Sequence, residues 1–249
     1  AQQLIRAGKV RDGAGTLLDK PGTEVAAALE LRVEQPPRFV SRGGEKLLAG
    51  LKTFPIATEG RVCLDGGIST GGFTDCLLQH GASRVYGVDV GYGQTAWSLR
   101  TDERVVLRER TNLRHLQPEQ RYGAEDPWPR LAVTGVSFIS LRLVLPALRR
   151  LLQPAGGLCP EALVLVKPQF EVGKDRVGKG GVVRDPVAHR DAIELVMAAA
   201  AELGWHPQGI VASPITGPAG NHEYVLWLAE AEGALLPDLE SLVATTLAS

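Results

Sequence analysis

The stretch Leu64-Asp65-Gly66-Gly67-Ile68-Ser69-Thr70-Gly71-Gly72-Phe73-Thr74-Asp75 decides the architecture of this chain. An apolar run, Arg61-Val62-Cys63-Leu64, drives into it, and a helix-type segment from Phe73 to His80 leaves it. Arg84-Val85-Tyr86-Gly87-Val88-Asp89 follows as a second β-type run that ends in an acid. Strand, glycine turn, helix, strand and acid open a nucleotide-binding α/β sheet. Gly67, Gly71 and Gly72 let the backbone approach a ligand closely, and Asp89 can accept both hydroxyls of a ribose. A cofactor with an adenosine half is expected at this turn.

The spacing narrows the choice of cofactor. A dinucleotide fold wants G-x-G-x-x-G aimed at a pyrophosphate, and no register of this turn supplies it. Ser69 and Thr70 fill the middle of the turn and suit a carboxylate or an amino group better. S-adenosylmethionine carries no phosphate, so a looser glycine turn suffices, and it is favoured over NAD. Asp65 is placed to orient the turn or the methionine amine, with Phe73 and Val90 beside the site. Asn112 suits either the adenine edge or a helix N-cap.

Working outward, β-type runs at Val62–Leu64, Val85–Val88, Val105–Leu107, Leu131–Val136, Leu163–Val166, Ile210–Ala212 and Tyr224–Leu228 alternate with helical patterns. The helical patterns include Glu45–Phe54, Ser140–Leu152 and Val187–Leu203. This alternation predicts a seven-stranded, mostly parallel, Rossmann-like sheet covered on both faces. The 249 residues, 44% hydrophobic and 22% charged, fit one medium domain plus a small appendage. A net charge of −1 means that any nucleic-acid binding must come from local patches. The three cysteines, Cys63, Cys76 and Cys159, form no CxxC pair and read as small buried residues of a reducing cytoplasm. No metal-ligand cluster is expected, and no apolar run is long enough to span a bilayer. Ala1 to Gly8 reads as the last turns of a helix closed by a C-cap glycine, and Leu29–Val33 as a strand.

Several segments together resemble one family. They are Phe39-Val40-Ser41-Arg42-Gly43-Gly44-Glu45-Lys46, the glycine turn, Gly87-Val88-Asp89-Val90-Gly91, Glu109-Arg110-Thr111-Asn112, Val136-Ser137-Phe138-Ile139-Ser140, Val166-Lys167-Pro168-Gln169-Phe170-Glu171, Gly180-Gly181-Val182-Val183-Arg184-Asp185 and Gly220-Asn221-His222-Glu223. The chain resembles the TlyA family of rRNA 2'-O-ribose methyltransferases, often labelled hemolysin A. The resemblance implies a partial S4-like RNA-binding domain at 1–34, a linker at 35–40, and an FtsJ-type S-adenosylmethionine-dependent domain at 41–249. It also implies ribosomal RNA, in cytidine ribose, as the substrate. A membrane-active toxin, suggested by the hemolysin label, would need a spanning or strongly amphipathic segment that the sequence lacks.

FtsJ-type enzymes share a Lys-Asp-Lys-Glu constellation, and the matching positions here are Lys46, Gly135, Lys167 and Glu223. Gly135 departs from the pattern. Without its carboxylate the two lysines should repel, Lys167 should lose basicity and its ammonium should be poorly positioned, with Ser137 too weakly polar to stand in. A non-enzymatic RNA- or ribosome-binding homologue disabled at Gly135 is the alternative. Ile68, where the family has Ala, is expected to crowd the cofactor. RNA contact is expected from Arg6, Lys9, Arg11, Arg38 and Arg42, and from a basic loop with Lys174, Arg176, Lys179 and Arg184. The same loop nearly matches a phosphate-binding G-x-x-x-x-G-K-[ST] motif, but Gly180 replaces the hydroxyl residue.

Overall fold

A computed structural model describes residues 1–34, 37–152 and 159–248. The chain divides into two compact units, Ala1–Arg38 and Phe39–Ser249.

In the first unit, α1 (Gln2–Arg6) ends as the sequence predicts. Gly8 takes φ 67°, its N–H donates to Ile5 and that of Lys9 to Leu4, each at 2.9 Å. This is a Schellman closure that only glycine fills without strain. Strand β1 (Val10–Asp12) pairs antiparallel with β2 (Leu31–Val33). Val10 is buried, whereas Leu4, Leu17, Val25, Leu31 and Val33 are exposed, so this unit buries little apolar surface.

The second unit alternates helix and strand: α2 (Gly43–Thr53), β3 (Val62–Gly66), α3 (Gly72–Gln79), β4 (Arg84–Val88), α4 (Trp97–Arg100), β5 (Val105–Arg108), α5 (Pro118–Arg121), β6 (Leu131–Thr134), α6 (Leu145–Leu151), β7 (Glu161–Val166), α7 (Pro168–Glu171), α8 (Pro186–Ala201), β8 (His206–Ala212), β9 (Tyr224–Ala229) and α9 (Leu239–Leu247). The seven strands run in the order β5-β4-β3-β6-β7-β9-β8. Only β9 pairs antiparallel with its neighbours. The order reverses between β3 and β6, and ligands of open α/β sheets bind outside the carboxyl ends at such a switch point.

The inner strands β3, β4, β6, β7 and β9 are buried on both faces, and alternate side chains divide between two cores. Cys63, Val85, Leu131, Val133, Leu163 and Val225 join one core with Leu47, Leu48, Phe73 and Leu77 of α2 and α3. Leu64, Tyr86, Ala132, Val164 and Leu226 join the other with Leu148, Ile193 and Val243 of α6, α8 and α9. Period-two alternation with both faces covered explains why these strands read as near-continuous apolar runs.

Three boundaries differ from the sequence reading. The run Leu131–Val136 stops pairing at Thr134, and the chain then turns through Phe138 at φ 64°. The segment Ser140–Leu152 is not one helix but a 3-10 turn, Leu141–Leu143, followed by α6. Pro146 has no N–H to donate and is tolerated only in a first turn, so the helix restarts just ahead of it. Phe39 and Val40, read as the end of the linker, are packed: Phe39 is buried against Gly44, and the Val40 N–H donates to Asp75 Oδ2 at 2.7 Å. Linker residues 35 and 36 lie outside the described residues. Cys63 and Cys76 are buried as expected, but Cys159 is exposed, because it lies ahead of β7 rather than in the sheet.

Candidate active site

A cavity of about 760 Å³ opens at the carboxyl ends of β3, β4, β6 and β7. Its cofactor half is built locally. The turn after β3 needs left-handed backbone at Gly67 (φ 87°) and Gly71 (φ 100°), and Ser69 adopts it too, at φ 51°. A Cβ at Gly67 would stand 2.6 Å from Val136, so the turn also needs glycine for space. Asp89 follows β4, and its carboxylate is fixed by two backbone donors, Ser69 N–H on Oδ2 and Gly91 N–H on Oδ1, each at 2.7 Å. Asp65 is buried at the end of β3 and accepts the Thr74 hydroxyl at 2.7 Å. Burial pushes its carboxyl up to about 7 despite that bond, and the charge of Asp89 adds to the rise.

Asp65, Gly67, Ser69, Gly72, Phe73, Asp89, Val90 and Asn112 all line this cavity. Thr70 and Gly71 do not line it: the Thr70 carbonyl accepts the Ala96 N–H, and Gly71 caps α3. Asn112 is an N-cap, accepting the Arg114 N–H at 3.1 Å, while facing the cavity. Ile68 lines the cavity too. Its side chain is buried over β4, where a Cβ on Gly87 would come within 2.6 Å of it. Asp65 and Asp89 face the cavity beside the turn, and residues 65–75 carry no cation. That donor set fits an ammonium and a ribose diol, and disfavours a diphosphate.

The catalytic half is assembled from distant segments. Lys46, on the first turns of α2, donates to Glu223 Oε2 at 2.5 Å, and both side chains are buried. Lys167 stands at the end of β7, where Pro168 begins α7. Its Nζ donates to the Gly135 carbonyl and to Ser137 Oγ, each at 2.7 Å. Burial pulls its pKa down to about 8, with Glu223 opposing and Lys46 adding to the fall. The fall comes first from burial rather than from a missing carboxylate, and the ammonium does not wander as expected. Backbone and hydroxyl oxygens from one loop grip it, since a lysine can donate three bonds in any direction. A Cβ at Gly135 would meet the Phe73 ring at 3.1 Å, so the glycine also makes room for that ring.

The cations named for RNA lie in both units. In the first, Arg6 and Arg11 are exposed, and Lys9 pairs with Glu34 at 3.0 Å. In the second, Arg42 lines the cavity mouth and donates to the Thr216 carbonyl at 2.9 Å. Lys174, Lys179 and Arg184 are exposed, whereas Arg176 is tied to Asp191 at 2.6 Å and Asp185 at 3.2 Å. The stretch 173–181 forms two short 3-10 turns and α8 begins only at Pro186, so it has no helix N-terminus for a triphosphate.

Residues 39–230 match the model of the FtsJ-like methyltransferase family. The chain belongs to this family. It is 52% identical over 231 residues to the 16S/23S rRNA (cytidine-2'-O)-methyltransferase TlyA of Mycobacterium tuberculosis, covering 92% of this chain and 82% of that protein. It is 36% identical to Hemolysin A of Brachyspira hyodysenteriae, covering 90% of each. A Lactococcus lactis protein solved under a provisional hemolysin name superposes with a TM-score of 0.77 at 43% identity, covering 84% of this chain and 99% of that one. Like the family's enzymes, this FtsJ-like chain has the seven-stranded S-adenosylmethionine-dependent methyltransferase sheet.

The sequence reading missed Asn221, His189 and Glu171. Asn221 Oδ1 accepts the Val183 N–H at 3.0 Å and its Nδ2 donates to Gly181, while His189 bonds the Val183 carbonyl at 2.9 Å. Together they fasten loop 178–185 beside Glu223. Only the adjacency of Asn221 to Glu223 could have signalled this.

Proposed function

We propose that this chain is a cytoplasmic enzyme that transfers methyl from S-adenosylmethionine to the 2'-hydroxyl of a cytidine ribose in ribosomal RNA. The observation that carries the reading is the convergence of Lys167 and of Lys46, itself bonded to Glu223, on the cavity that Asp89 and the glycine turn shape for a nucleoside. The name of the 52%-identical relative supplies the substrate class. Asp89 would hold the ribose diol, Asp65 the methionine ammonium, and Asn112 and Val90 the adenine side. When bound, S-adenosylmethionine supplies an electrophilic sulfonium methyl.

The chain's own residues handle the acceptor. Lys167, with a pKa near 8, is partly neutral at mildly alkaline pH and can take the proton of the hydroxyl or orient it as a cation. The Lys46–Glu223 ion pair sets Lys46 at the cavity wall beside it. The first unit, read as S4-like, and the exposed Lys174, Lys179 and Arg184 would hold the RNA backbone. No helix among the described residues is long and apolar enough to cross a membrane, and the hemolysin name finds no support in this geometry.

Gly135 favours one second reading, an RNA- or ribosome-binding homologue without turnover. Tritium transfer from labelled S-adenosylmethionine to isolated ribosomal subunits separates the two. Labelled rRNA, lost in Lys167→Met, is expected. Cofactor and subunit binding without label would replace the enzyme by the binding homologue.

A further inference from the structure

The structure carries a clasp behind the catalytic lysine that the methyl-transfer constellation does not include. We propose that Glu171 is a positioning residue: it pins loop 135–140 to α7, so that Gly135 and Ser137 of that loop grip Lys167. The inference rests on the methyltransferase reading of this site.

Lys167 and Glu171 flank the single turn α7. At its far end Glu171 is buried, 4% exposed. Its Oε1 accepts the Leu141 N–H at 2.7 Å, and its Oε2 accepts the Ser140 hydroxyl at 2.6 Å. One side chain thus closes the downstream end of the loop whose upstream end supplies the Gly135 carbonyl and Ser137 Oγ to Lys167. Val136 and Ile139 pack against the core on either side of the loop's tip, but the tip itself is open. Ser137 is exposed, and Phe138 is 92% exposed with a left-handed backbone, its ring resting on Phe170 at 5.2 Å. Upstream, Thr134 is tied to the Gly66 carbonyl at 2.6 Å. Held at both ends, the loop keeps its two oxygens where one ammonium can meet both.

A buried carboxylate is costly, so its chemistry here should be one that a neutral side chain cannot copy. Both oxygens of Glu171 accept. Glutamine could accept on one side only and would turn its NH2 toward a donor on the other. Arg142, with Nε 3.9 Å from Glu171 Oε2, is the charged group facing the clasp, and burial pushes the Glu171 carboxyl up from its ordinary range. The charged groups facing Lys167 are Glu223 from β9 and Lys46 from α2, and Glu171 makes no direct contact with it. Glu171 therefore acts on Lys167 through the loop.

The test is the titration of Lys167 in the intact chain, followed by NMR of ¹³Cε-labelled lysine, with Lys167→Met to assign the signal. The wild-type midpoint is expected near 8. In Glu171→Gln the loosened loop should withdraw the Gly135 and Ser137 oxygens that favour the charged ammonium, and the midpoint should fall by about half a pH unit or more. Ser140→Ala, which removes one of the two bonds, should move it less in the same direction. Ser137→Ala removes one acceptor from the ammonium and should lower it too, and adding Glu171→Gln to Ser137→Ala should then change little, because both break the same grip. Equal midpoints in all four proteins, or additive shifts, would overturn the proposal. Calorimetric affinity for S-adenosylmethionine, expected within about twofold of wild type, guards against misfolding. If Glu171→Gln fails that control, Ser140→Ala decides. The titration needs no turnover. Failed methyl transfer thus counts against the enzyme reading, and an unmoved lysine against Glu171 alone.

Discussion

The two halves of the cavity are held together in opposite ways. On the cofactor side, Asp89 is fixed by Ser69 and Gly91, 20 and 2 residues away, through backbone donors of a single strand-turn-helix-strand unit. On the acceptor side, Lys46 meets Glu223 across 177 residues, and Lys167 meets Gly135 across 32. The first half is a local motif that backbone geometry enforces. The second exists only because α2, β6, β7 and β9 end at one rim. A change in one half should therefore leave the other largely intact, and each expected outcome below is a way to break that separation.

The largest effect should come from the acceptor half. Lys167→Met is expected to lower methyl transfer by on the order of 10²–10⁴-fold, with cofactor affinity unchanged by calorimetry. Parallel losses of rate and affinity would mean that the halves are coupled. Next comes Asp89→Ala, expected to weaken cofactor binding by about 1–3 kcal/mol, because an ionised acceptor loses its ribose bonds. Lys167 should titrate as before in this variant, and a moved midpoint would break the comparison from the other side.

Gly135→Asp sits on the seam. Its carboxylate would stand beside Lys167, raise the lysine pKa above about 8 and sharpen its aim. Because Gly135 O and Ser137 already hold the ammonium, and Phe73 must yield a few tenths of an ångström, the gain in rate should be about tenfold or less. An unchanged rate would mean that the existing oxygens do all the orienting.

A smaller effect belongs to pH. Asp65, near 7, is ionised above that value and protonated below it. Only the ionised form attracts an ammonium, so S-adenosylmethionine should bind more weakly at pH 6 than at pH 8, by roughly tenfold at most. Calorimetry at both values, repeated with Asp65→Asn, checks this, since the variant should lose the difference. The smallest effect should be Asn112→Ala, which removes an N-cap bond and about 1 kcal/mol of stability, read from a denaturant midpoint.

Local order made much of this protein legible from the sequence alone. Val62–Leu64, the glycine turn and Asp89 lie within one contiguous unit, and most required conformations are written in residue type: glycine at positive φ in Gly67 and Gly71, though Ser69 adopts it too, and apolar runs where a strand is buried twice. Lys46, Lys167 and Glu223 could be named as candidates by their resemblance to a family pattern, but their pairing could not. What burial does to a charge, and which oxygen a lysine finds, depends on segments far apart in sequence. So neither the burial that lowers the basicity of Lys167 nor its firm seat on Gly135 O and Ser137 is legible from the sequence. The same holds for Glu171, whose role depends on where a loop 30 residues earlier comes to rest. Residue type and spacing settle local backbone geometry, because its energetics are short-ranged. Tertiary structure decides the hydrogen-bond partners and solvation of buried charges, because those depend on everything packed around them.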